Sequence, residues 1–537
     1  MNTKYFYKKV KSSLLLIVAV FFAASCESYL DEQPSTLIDL GYVYNTEEGL
    51  KSGIVSLYKF NRDRYELNRQ DFIGSVLMTS RADLTFTRTG YAYQLGNYRR
   101  GTTPTDLGTE YGSLYFWKHF YNISNKATGL INAAEVIEGV DEDSKNKIIA
   151  EAKFFRAYAY FYLYRMYKNI YVTTETVTVD NAFDLIEDKS SETEIFALLN
   201  SDLNFAIEHL DWNVQFGRVS KGTAKHIKAK VAMWEGNWDE AKTQALSVIE
   251  DPESPFRLVE STGDVFKGDR NTTEQLFTVQ SQLDVLGGGN TTMLNANYVT
   301  QYFQISGIES NNEQGGQGFS RVLPNRYLLD LLAEDENDTR DDNTYFRLKY
   351  YYTSGANVGE EIDIYKPITE ENPEGDDYLN YYKRLHPSCI KFAQEDSPNP
   401  ASYFQQTNIV VYRLAETYLI AAEALMRSGG DGLPYLNEIR ERANATPIET
   451  LTLQAIMDEN ARELSFEGER FFFLKRLGSD ILNHQMTTYA GDGEYYPRFV
   501  GGDQDVRLNW QPHFINFPIF QEDLDLLGPN YPQNDLY

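Results

Sequence analysis

Pairs of amphipathic helices joined by sharp glycine turns restrict the possible folds of this chain more than any other feature. In residues 218–241, small and apolar side chains recur at helical spacing until Gly236, after which a second apolar stripe begins. The same design returns in residues 411–443, where the glycine-rich segment 429–432 separates two stripes. Neither helix of such a pair can bury its apolar face alone, so the pattern predicts helical hairpins of the tetratricopeptide type.

The helical hairpins do not follow one another at a fixed period. Segments rich in Gly, Asn, Asp and Tyr separate them, at residues 81–108, about 281–321 and about 335–408. Irregular segments of this length are uncommon in compact proteins unless they have a function. We therefore predict a mainly α fold, with a tetratricopeptide-like scaffold of helical hairpins and a large, irregular, loop-rich lobe containing short helices and minor β structure.

Residues 1–25 have the pattern of an export signal. Four lysines precede the apolar run 14–24, which is too short to span a bilayer, and small residues lead directly into Cys26. The pattern predicts a lipoprotein signal peptide over residues 1–25 and lipid attachment at Cys26, although Ala23 stands where such signals usually have Leu. The alternative is an ordinary secretory signal with an incidental cysteine.

Charge and cysteine content exclude several classes of protein. The chain has 50 Lys and Arg against 78 Asp and Glu, a net charge of −28. Removal of the four lysines in residues 1–25 gives 46 − 78, or −32. Such a chain repels nucleic acid, so we expect no nucleic-acid partner. With only two cysteines, one of them Cys26, a disulfide framework is excluded, and stability must come from the core.

Motifs for catalysis or metal binding are absent from the sequence. The six histidines show no pairing at i,i+4, and no nucleophile, zinc or phosphate-loop motif occurs. The acidic run 334–343 lacks the regular spacing of a calcium loop, which favours a solvated loop. We predict no enzymatic activity, no cofactor and no metal site. A surface glycosidase remains an alternative, because its acid pair would leave no sequence motif.

Two carboxylates in the segment 459–478 resemble a catalytic pair. Helical spacing places Glu463 and Glu467 on one side of a helix, with Arg470 in reach of Glu467. An apolar stripe continues through residues 457–471, so we interpret these charges as part of the scaffold.

Several segments resemble, in order, those of the SusD/RagB family of outer-membrane nutrient-binding lipoproteins. They are YLDEQP (29–34), WKHFYNISNKATGLI (117–131), EAKFFRAYAYFYLYRMYKN (151–169), RVSKGTAKHIKAKVAMWEGNWDEA (218–241), YRLAETYLIAAEALMR (412–427), ENARELSFEGERFFFLKRLG (459–478) and FPIFQEDLDLLGPNYPQNDLY (517–537). The resemblance implies a single SusD-like body over 26–537, with an N-terminal region at about 26–230 and a C-terminal SusD/RagB region at about 270–537.

The resemblance implies a lipid-anchored protein at the surface of the outer membrane. Such a protein captures an oligosaccharide or polysaccharide and delivers it, as a lid, to a TonB-dependent SusC-like transporter. Two alternatives keep the fold. In one, the ligand is a peptide, and a cationic peptide would suit the negative charge. In the other, the protein is a structural lid with negligible affinity of its own.

Ligand contacts are expected in the irregular segments. A sugar site needs an aromatic plate for the C–H face of the ring and fixed polar groups for its hydroxyls, and the resemblance implies that these regions line the site. The alternative is that the tyrosines pack the lobe or touch the transporter. The candidate ligand residues are Arg81, Asp83, Tyr91, Tyr93, Asn97, Tyr98 and Arg99 in the first segment and Tyr298, Gln301 and Tyr302 in the second.

Overall fold

The computed structural model describes most of the chain. The described residues are 44–66, 75–88, 96–106, 115–178, 180–266, 273–281, 291–341, 344–365, 380–491 and 506–537. Within them the structure is mainly helical, which confirms the predicted fold class.

The helices and strands are numbered in chain order. The helices are α1 (Glu47–Glu66), α2 (Ser75–Ser80), α3 (Tyr115–Val136), α4 (Glu142–Tyr167), α5 (Glu192–His209), α6 (Lys221–Glu235), α7 (Trp238–Glu250), α8 (Leu294–Tyr298), α9 (Arg326–Ala333), α10 (Leu414–Arg427), α11 (Leu433–Arg442), α12 (Leu453–Leu464), α13 (Arg470–Leu477), α14 (Ser479–Thr488), α15 (Val506–Asn509) and α16 (Gln521–Leu526). The strands are β1 (Thr85–Thr87), β2 (Gln275–Val279), β3 (Val322–Pro324), β4 (Phe346–Arg347), β5 (Ser388–Cys389) and β6 (Ile409–Arg413).

The helical hairpins form where the sequence places capping residues. Gly236 ends α6 in the left-handed conformation, with φ +71°, and Asn237 caps α7 by accepting a hydrogen bond from the Glu240 N–H. Ser191 and Glu194 form a capping box at the start of α5. Turn geometry, as well as apolar periodicity, therefore fixes the hairpins, and the predicted hairpin at 218–241 is confirmed.

The strands form three antiparallel pairs, β1–β3, β2–β6 and β4–β5. Each pair joins segments that lie far apart in the sequence. Val411, which the periodicity places in a helical stripe, lies in β6, whose backbone pairs with β2. The helix begins only at Leu414, because pairing with β2 keeps the preceding residues extended.

One large apolar core holds the scaffold together. Helix α4 lies at its centre, packed against α3 and α5, and nearly all of its residues after Ile148 are buried. The core also includes side chains of the C-terminal segment 510–531. The Phe517 N–H donates to the carbonyl of Met166 at 2.9 Å, so the chain terminus packs against α4.

The helix predicted through 457–471 is interrupted. Helix α12 ends at Leu464, and both Phe466 and Gly468 have positive φ, of 68° and 87°. The chain then restarts as α13 in a new direction. The apolar stripe is therefore shared by two helices, because a sharp left-handed turn separates them.

Membrane-spanning helices and metal clusters are absent from the residues that the structure describes. No helix there is both long and apolar enough to cross a bilayer, and no three His, Cys, Asp or Glu side chains converge as metal ligands. Cys389 is buried, and burial raises the pKa of its thiol to about 12. Cys26 lies outside the described residues.

Candidate functional site

The carboxylates of the segment 459–478 belong to a buried ionic network. Glu463 is fully buried and accepts hydrogen bonds from Arg340, Arg413, Arg442 and Tyr345. Burial alone would raise the pKa of Glu463, but the three guanidinium groups hold it well below its ordinary value. A fully buried carboxylate that is bonded by three guanidinium groups and a tyrosine hydroxyl helps to hold the scaffold together.

Arg470 does not pair with Glu467, as the spacing suggests. Its guanidinium makes a two-pronged ion pair with Asp83, with distances of 2.9 and 2.8 Å. Glu467 instead accepts from Lys391 and Arg413. The left-handed turn before α13 rotates Arg470 away from Glu467. Asp83, a candidate ligand residue, is therefore fully buried and tied to the scaffold.

The other candidates of the first irregular segment lie mostly in the interior. The Arg81 guanidinium lies between the rings of Tyr98 and Phe517, 4.1 and 4.6 Å from their centres. The Tyr98 hydroxyl donates to the Arg81 carbonyl at 2.7 Å. Asn97 is also buried, whereas Arg99 is exposed. Tyr91 and Tyr93 lie outside the described residues.

The tyrosines of the second segment are fully buried. Tyr298 packs against Phe466, and its hydroxyl donates to the Thr79 hydroxyl at 3.3 Å. The Tyr302 hydroxyl donates to the carbonyl of Gly316 at 2.7 Å. Such side chains have no face open to a ligand, which corrects the expectation that they contact one. The buried candidates pack and bond the interior of the protein, namely Arg81, Asp83, Asn97, Tyr98, Tyr298 and Tyr302.

Three partly exposed aromatic side chains, Phe303, Phe319 and Tyr403, form a group that we call the aromatic platform. The rings of Phe319 and Tyr403 stack with their centres 4.1 Å apart and their planes 9° from parallel. Phe303 meets Tyr403 edge-on, with 6.4 Å between the ring centres. Phe404, the next residue, is 42% exposed. Rings fixed in this way give the lobe a rigid apolar surface.

The backbone holds Phe319 in place. The N–H groups of residues 319–321 donate to carbonyl groups of residues 296–299 at 2.7 to 3.0 Å. Gly318 lies directly against the carbonyl of Val299, where a Cβ atom would stand only 1.9 Å from the oxygen. Only glycine allows this close approach, so Gly318 sets the position of the platform.

Polar groups surround the aromatic platform. The Arg321 guanidinium lies 4.2 Å from the centre of the Phe319 ring and donates to Asn297 Oδ1 at 3.1 Å. Gln301 Nε2 donates to the Phe319 carbonyl at 3.3 Å, while Gln301 Oε1 is buried with no hydrogen-bond partner. A buried amide oxygen without a partner is costly, and a ligand hydroxyl could satisfy it.

A cleft of about 600 Å³ lies in the same lobe. The segment 311–321 contributes to both sites, because Asn312 lines the cleft and Phe319 belongs to the platform. This segment is held beside residues 397–405, since Asn312 Nδ2 donates to the Ser397 carbonyl at 3.0 Å. The cleft is lined by Phe266, Asn312, Glu313, Arg347, Ile390 and Glu395, among others.

Sequence reasoning predicted the region of the platform but not its residues. Phe319 follows a run of glycines, and Tyr403 lies in a segment rich in Pro, Asn and Ser. Phe319 and Tyr403 are each flanked by turn-forming residues and lie outside any helical or strand period. This pattern distinguishes them from Tyr298 and Tyr302. Each of those two tyrosines begins or ends a short helical turn.

The fold and the aromatic platform together define a class of protein. Its members have a helical-hairpin scaffold and an irregular lobe that presents an aromatic surface. Residues 268–537, half of the chain, match the model of the SusD family. The chain therefore belongs to the SusD family.

Relatives and solved structures agree with this assignment. A "SusD-like protein" of Bacteroides ovatus is 27% identical over 97% of this chain and 92% of its own length. "Starch-binding protein SusD" of Bacteroides thetaiotaomicron is 34% identical over 22% of this chain and 23% of its own. The fold is similar to that of surface glycan-binding protein A from Bacteroides thetaiotaomicron, solved with laminarihexaose, with a TM-score of 0.67 at 18% identity over 91% of this chain and 99% of that one.

Proposed function

We propose that this protein is a cell-surface lipoprotein, anchored to the outer membrane through Cys26, that captures an oligosaccharide or polysaccharide and delivers it to a TonB-dependent SusC-like transporter. The signal pattern of residues 1–25 supports the anchor. Membership of the SusD family supports the partnership with a transporter. In this role the protein binds its ligand and performs no chemistry on it.

The aromatic platform is the observation that carries the glycan part of the proposal. A sugar ring presents C–H groups on its faces and hydroxyls at its rim. Phe303, Phe319 and Tyr403 offer an apolar surface for such a face, and Gln301 Oε1 offers an unused acceptor for a hydroxyl. Two similar proteins, a starch-binding protein and a surface glycan-binding protein in complex with laminarihexaose, support the same ligand class.

Affinity electrophoresis tests the glycan proposal. Residues 27–537, without the lipid cysteine, are run in gels that contain a panel of plant, host and fungal polysaccharides. We expect retardation by at least one polymer, and Tyr403→Ala should weaken the affinity about tenfold, because it removes half of the aromatic stack. Lack of retardation by every polymer would refute glycan capture.

Phe183→Ala is the matched control. Phe183 is 93% exposed in the connection between α4 and α5, so its removal also deletes a surface ring but leaves the platform intact. We expect it to bind like the wild type. If Phe183→Ala and Tyr403→Ala lose the same affinity, the platform is not the site. Melting temperatures of both variants identify any loss caused by unfolding.

The alternative of a peptide ligand rests on the net charge of −28. A protein with this charge attracts cationic peptides at low ionic strength, and the attraction falls as salt screens it. Binding of Lys- and Arg-rich peptides that weakens steeply between 50 and 500 mM salt, with no polysaccharide bound, would favour this alternative. The transporter part has a separate test, which is co-purification of the lipidated protein with the transporter from outer membranes.

A further inference from the structure

Arg347 has a buried guanidinium group to which no carboxylate in the described part of the chain is bonded. It lies at the end of β4, is 4% exposed and lines the 600 Å³ cleft. Its Nη2 donates to the backbone carbonyl of Glu313, and its Nε is buried with no hydrogen-bond partner. Among the residues that the structure describes, no Asp or Glu oxygen lies within ion-pair distance of it. No carboxylate of the described residues therefore neutralises its positive charge.

Other buried arginines show how this protein normally compensates such a charge. Arg340 and Arg413 are each bonded to two or more carboxylates. Arg64 and Arg81 lack a carboxylate, but each lies over the faces of aromatic rings at 4.1 to 5.7 Å. Arg347 has neither kind of partner in the described part of the chain. Arg347 therefore differs from these four buried arginines, and its side chain lines a cleft.

The cleft around Arg347 has the chemistry of a sugar site with one charged recognition group. A guanidinium donates two parallel hydrogen bonds to a carboxylate or sulfate, which makes arginine the best side chain for planar anionic groups. Asn312 Oδ1 is buried without a partner and can accept from a hydroxyl. Phe266 and Ile390 give the cleft an apolar side.

We propose that this cleft binds an anionic group of the captured glycan, either a uronic acid carboxylate or a sulfate ester, through the Arg347 guanidinium. The inference rests on the proposed glycan-binding function and narrows it to acidic polysaccharides. The ligand anion supplies a counter-charge that Arg347 does not receive from the described residues, while Asn312 orients the same sugar unit. The aromatic platform, on the neighbouring part of segment 311–321, then stacks another unit of the chain.

The negative charge of the protein does not oppose this assignment at short range. Glu313 and Glu395 line the cleft, but both are exposed to solvent. Exposed charges are screened within about 8 Å at physiological ionic strength. Arg347 is shielded from water, so its attraction for a contacting anion is stronger than the repulsion from either carboxylate. The exposed carboxylates should still weaken binding slightly, and removal of one should therefore strengthen it.

Affinity electrophoresis with paired polymers tests the inference. The acidic probes are polygalacturonate for the carboxylate and dextran sulfate for the sulfate ester. Their neutral partners are carboxyl-reduced polygalacturonate and unsulfated dextran. We expect retardation by one acidic probe and at least tenfold weaker affinity for its neutral partner. Arg347→Gln should abolish this preference. Arg347→Lys should keep part of it, since Lys has the same charge but cannot donate two parallel hydrogen bonds.

Two further variants complete the test. Arg326→Gln removes an arginine with a largely exposed side chain outside the cleft, and we expect no change in affinity. Glu395→Gln leaves the buried arginine untouched and should strengthen binding of the acidic probe about twofold, a result that does not depend on Arg347→Gln folding correctly.

The outcomes separate this inference from the proposed function. Equal affinity for acidic and neutral polymers, or a preference for acid that survives Arg347→Gln, would overturn the Arg347 site and leave glycan capture intact. The absence of binding to any polymer, acidic or neutral, would overturn the proposed function and this inference with it. A preference for one acidic probe, lost in Arg347→Gln and increased in Glu395→Gln, would support both.

Discussion

Buried charges are treated in opposite ways in two regions of this molecule. Where α12 and α13 meet β2 and β6, Glu463 accepts from three arginines, and Arg413 bonds three different glutamates. In the irregular lobe, Arg347 donates to one backbone carbonyl, and several amide side chains have one buried atom without a hydrogen-bond partner. The unpartnered amide atoms of the lobe belong to Asn295, Gln301, Asn312, Gln314, Gln405 and Gln406.

The difference separates groups that hold the fold from groups that are available to a ligand. A buried ion that is fully bonded fixes the geometry of its neighbours, and removal of one partner is costly. A buried polar atom without a partner contributes nothing to the fold, and it is destabilising until something bonds it. The junction thus makes the molecule rigid, and the lobe retains unused hydrogen-bonding capacity beside its cleft and platform.

Loss of the central carboxylate of the junction should give the largest effect on stability. Glu463→Gln leaves Arg340, Arg413 and Arg442 with less negative charge to bond, so we expect the free energy of unfolding to fall by about 3–5 kcal/mol. Chemical denaturation at pH 7 measures this loss. Glu336→Gln, at an exposed position, is the control and should change stability by less than about 0.5 kcal/mol. A loss of under 1 kcal/mol in Glu463→Gln would show that the junction is not a stabilising unit.

Two glycine-to-alanine substitutions, one at the platform and one in a helix, test whether the lobe is rigid at the platform. In Gly318→Ala the new Cβ would meet the Val299 carbonyl, so we expect a loss of about 2–3 kcal/mol together with weaker glycan binding. Gly129, inside α3, has only an ordinary contact at 3.8 Å for its added Cβ, with Thr176. Gly129→Ala should therefore raise stability, by up to about 1 kcal/mol. Similar melting temperatures for the two variants would contradict the close approach at Gly318.

Asp523, in scaffold helix α16, has a carboxylate oxygen, Oδ2, that is buried without a hydrogen-bond partner. Burial raises the pKa of Asp523 to about 6, and its nearest cation, Lys118 Nζ, is 4.0 Å from Oδ1. Because the folded state holds this proton more tightly than the unfolded chain, the contribution of Asp523 to stability is greatest below about pH 4 and is lost as the pH rises through 6. Asp523→Asn should therefore be more stable than the wild type by on the order of 1 kcal/mol at pH 7.5.

Thermal unfolding of Asp523→Asn and the wild type across pH 4–8 measures this effect. The advantage of the variant should shrink below pH 6, where the wild-type carboxyl becomes protonated. A constant difference across the whole range would mean that Asp523 is compensated in the folded state.

Most of the scaffold could be predicted from the sequence, because its signals are local. Periodicity and capping residues within a few positions of Gly236 determine the hairpin of α6 and α7. Strand pairs such as β2–β6 join segments more than 100 residues apart, and no local pattern in either strand indicates which segment it pairs with. The spacing of Val411 therefore predicts a helix, although long-range backbone pairing keeps this residue extended.

The candidate site was predictable by region and not by residue. Composition indicates that tyrosines are abundant in the lobe, but it does not indicate which way they face. A lobe with few regular elements needs large side chains that fill its interior and also bond the irregular backbone, and Tyr98 and Tyr302 do both. The exposed stack of Phe319 and Tyr403 depends on a contact between two distant segments, which no local pattern encodes.

The packing of the C-terminal segment against α4 has a consequence for the order in which the chain folds. Residues 510–531 share one core with α1, α3 and α4, so this core joins segments that lie more than 300 residues apart in the sequence. Contacts of such long sequence separation close slowly. The scaffold core therefore closes late in folding, after the local helical hairpins have formed.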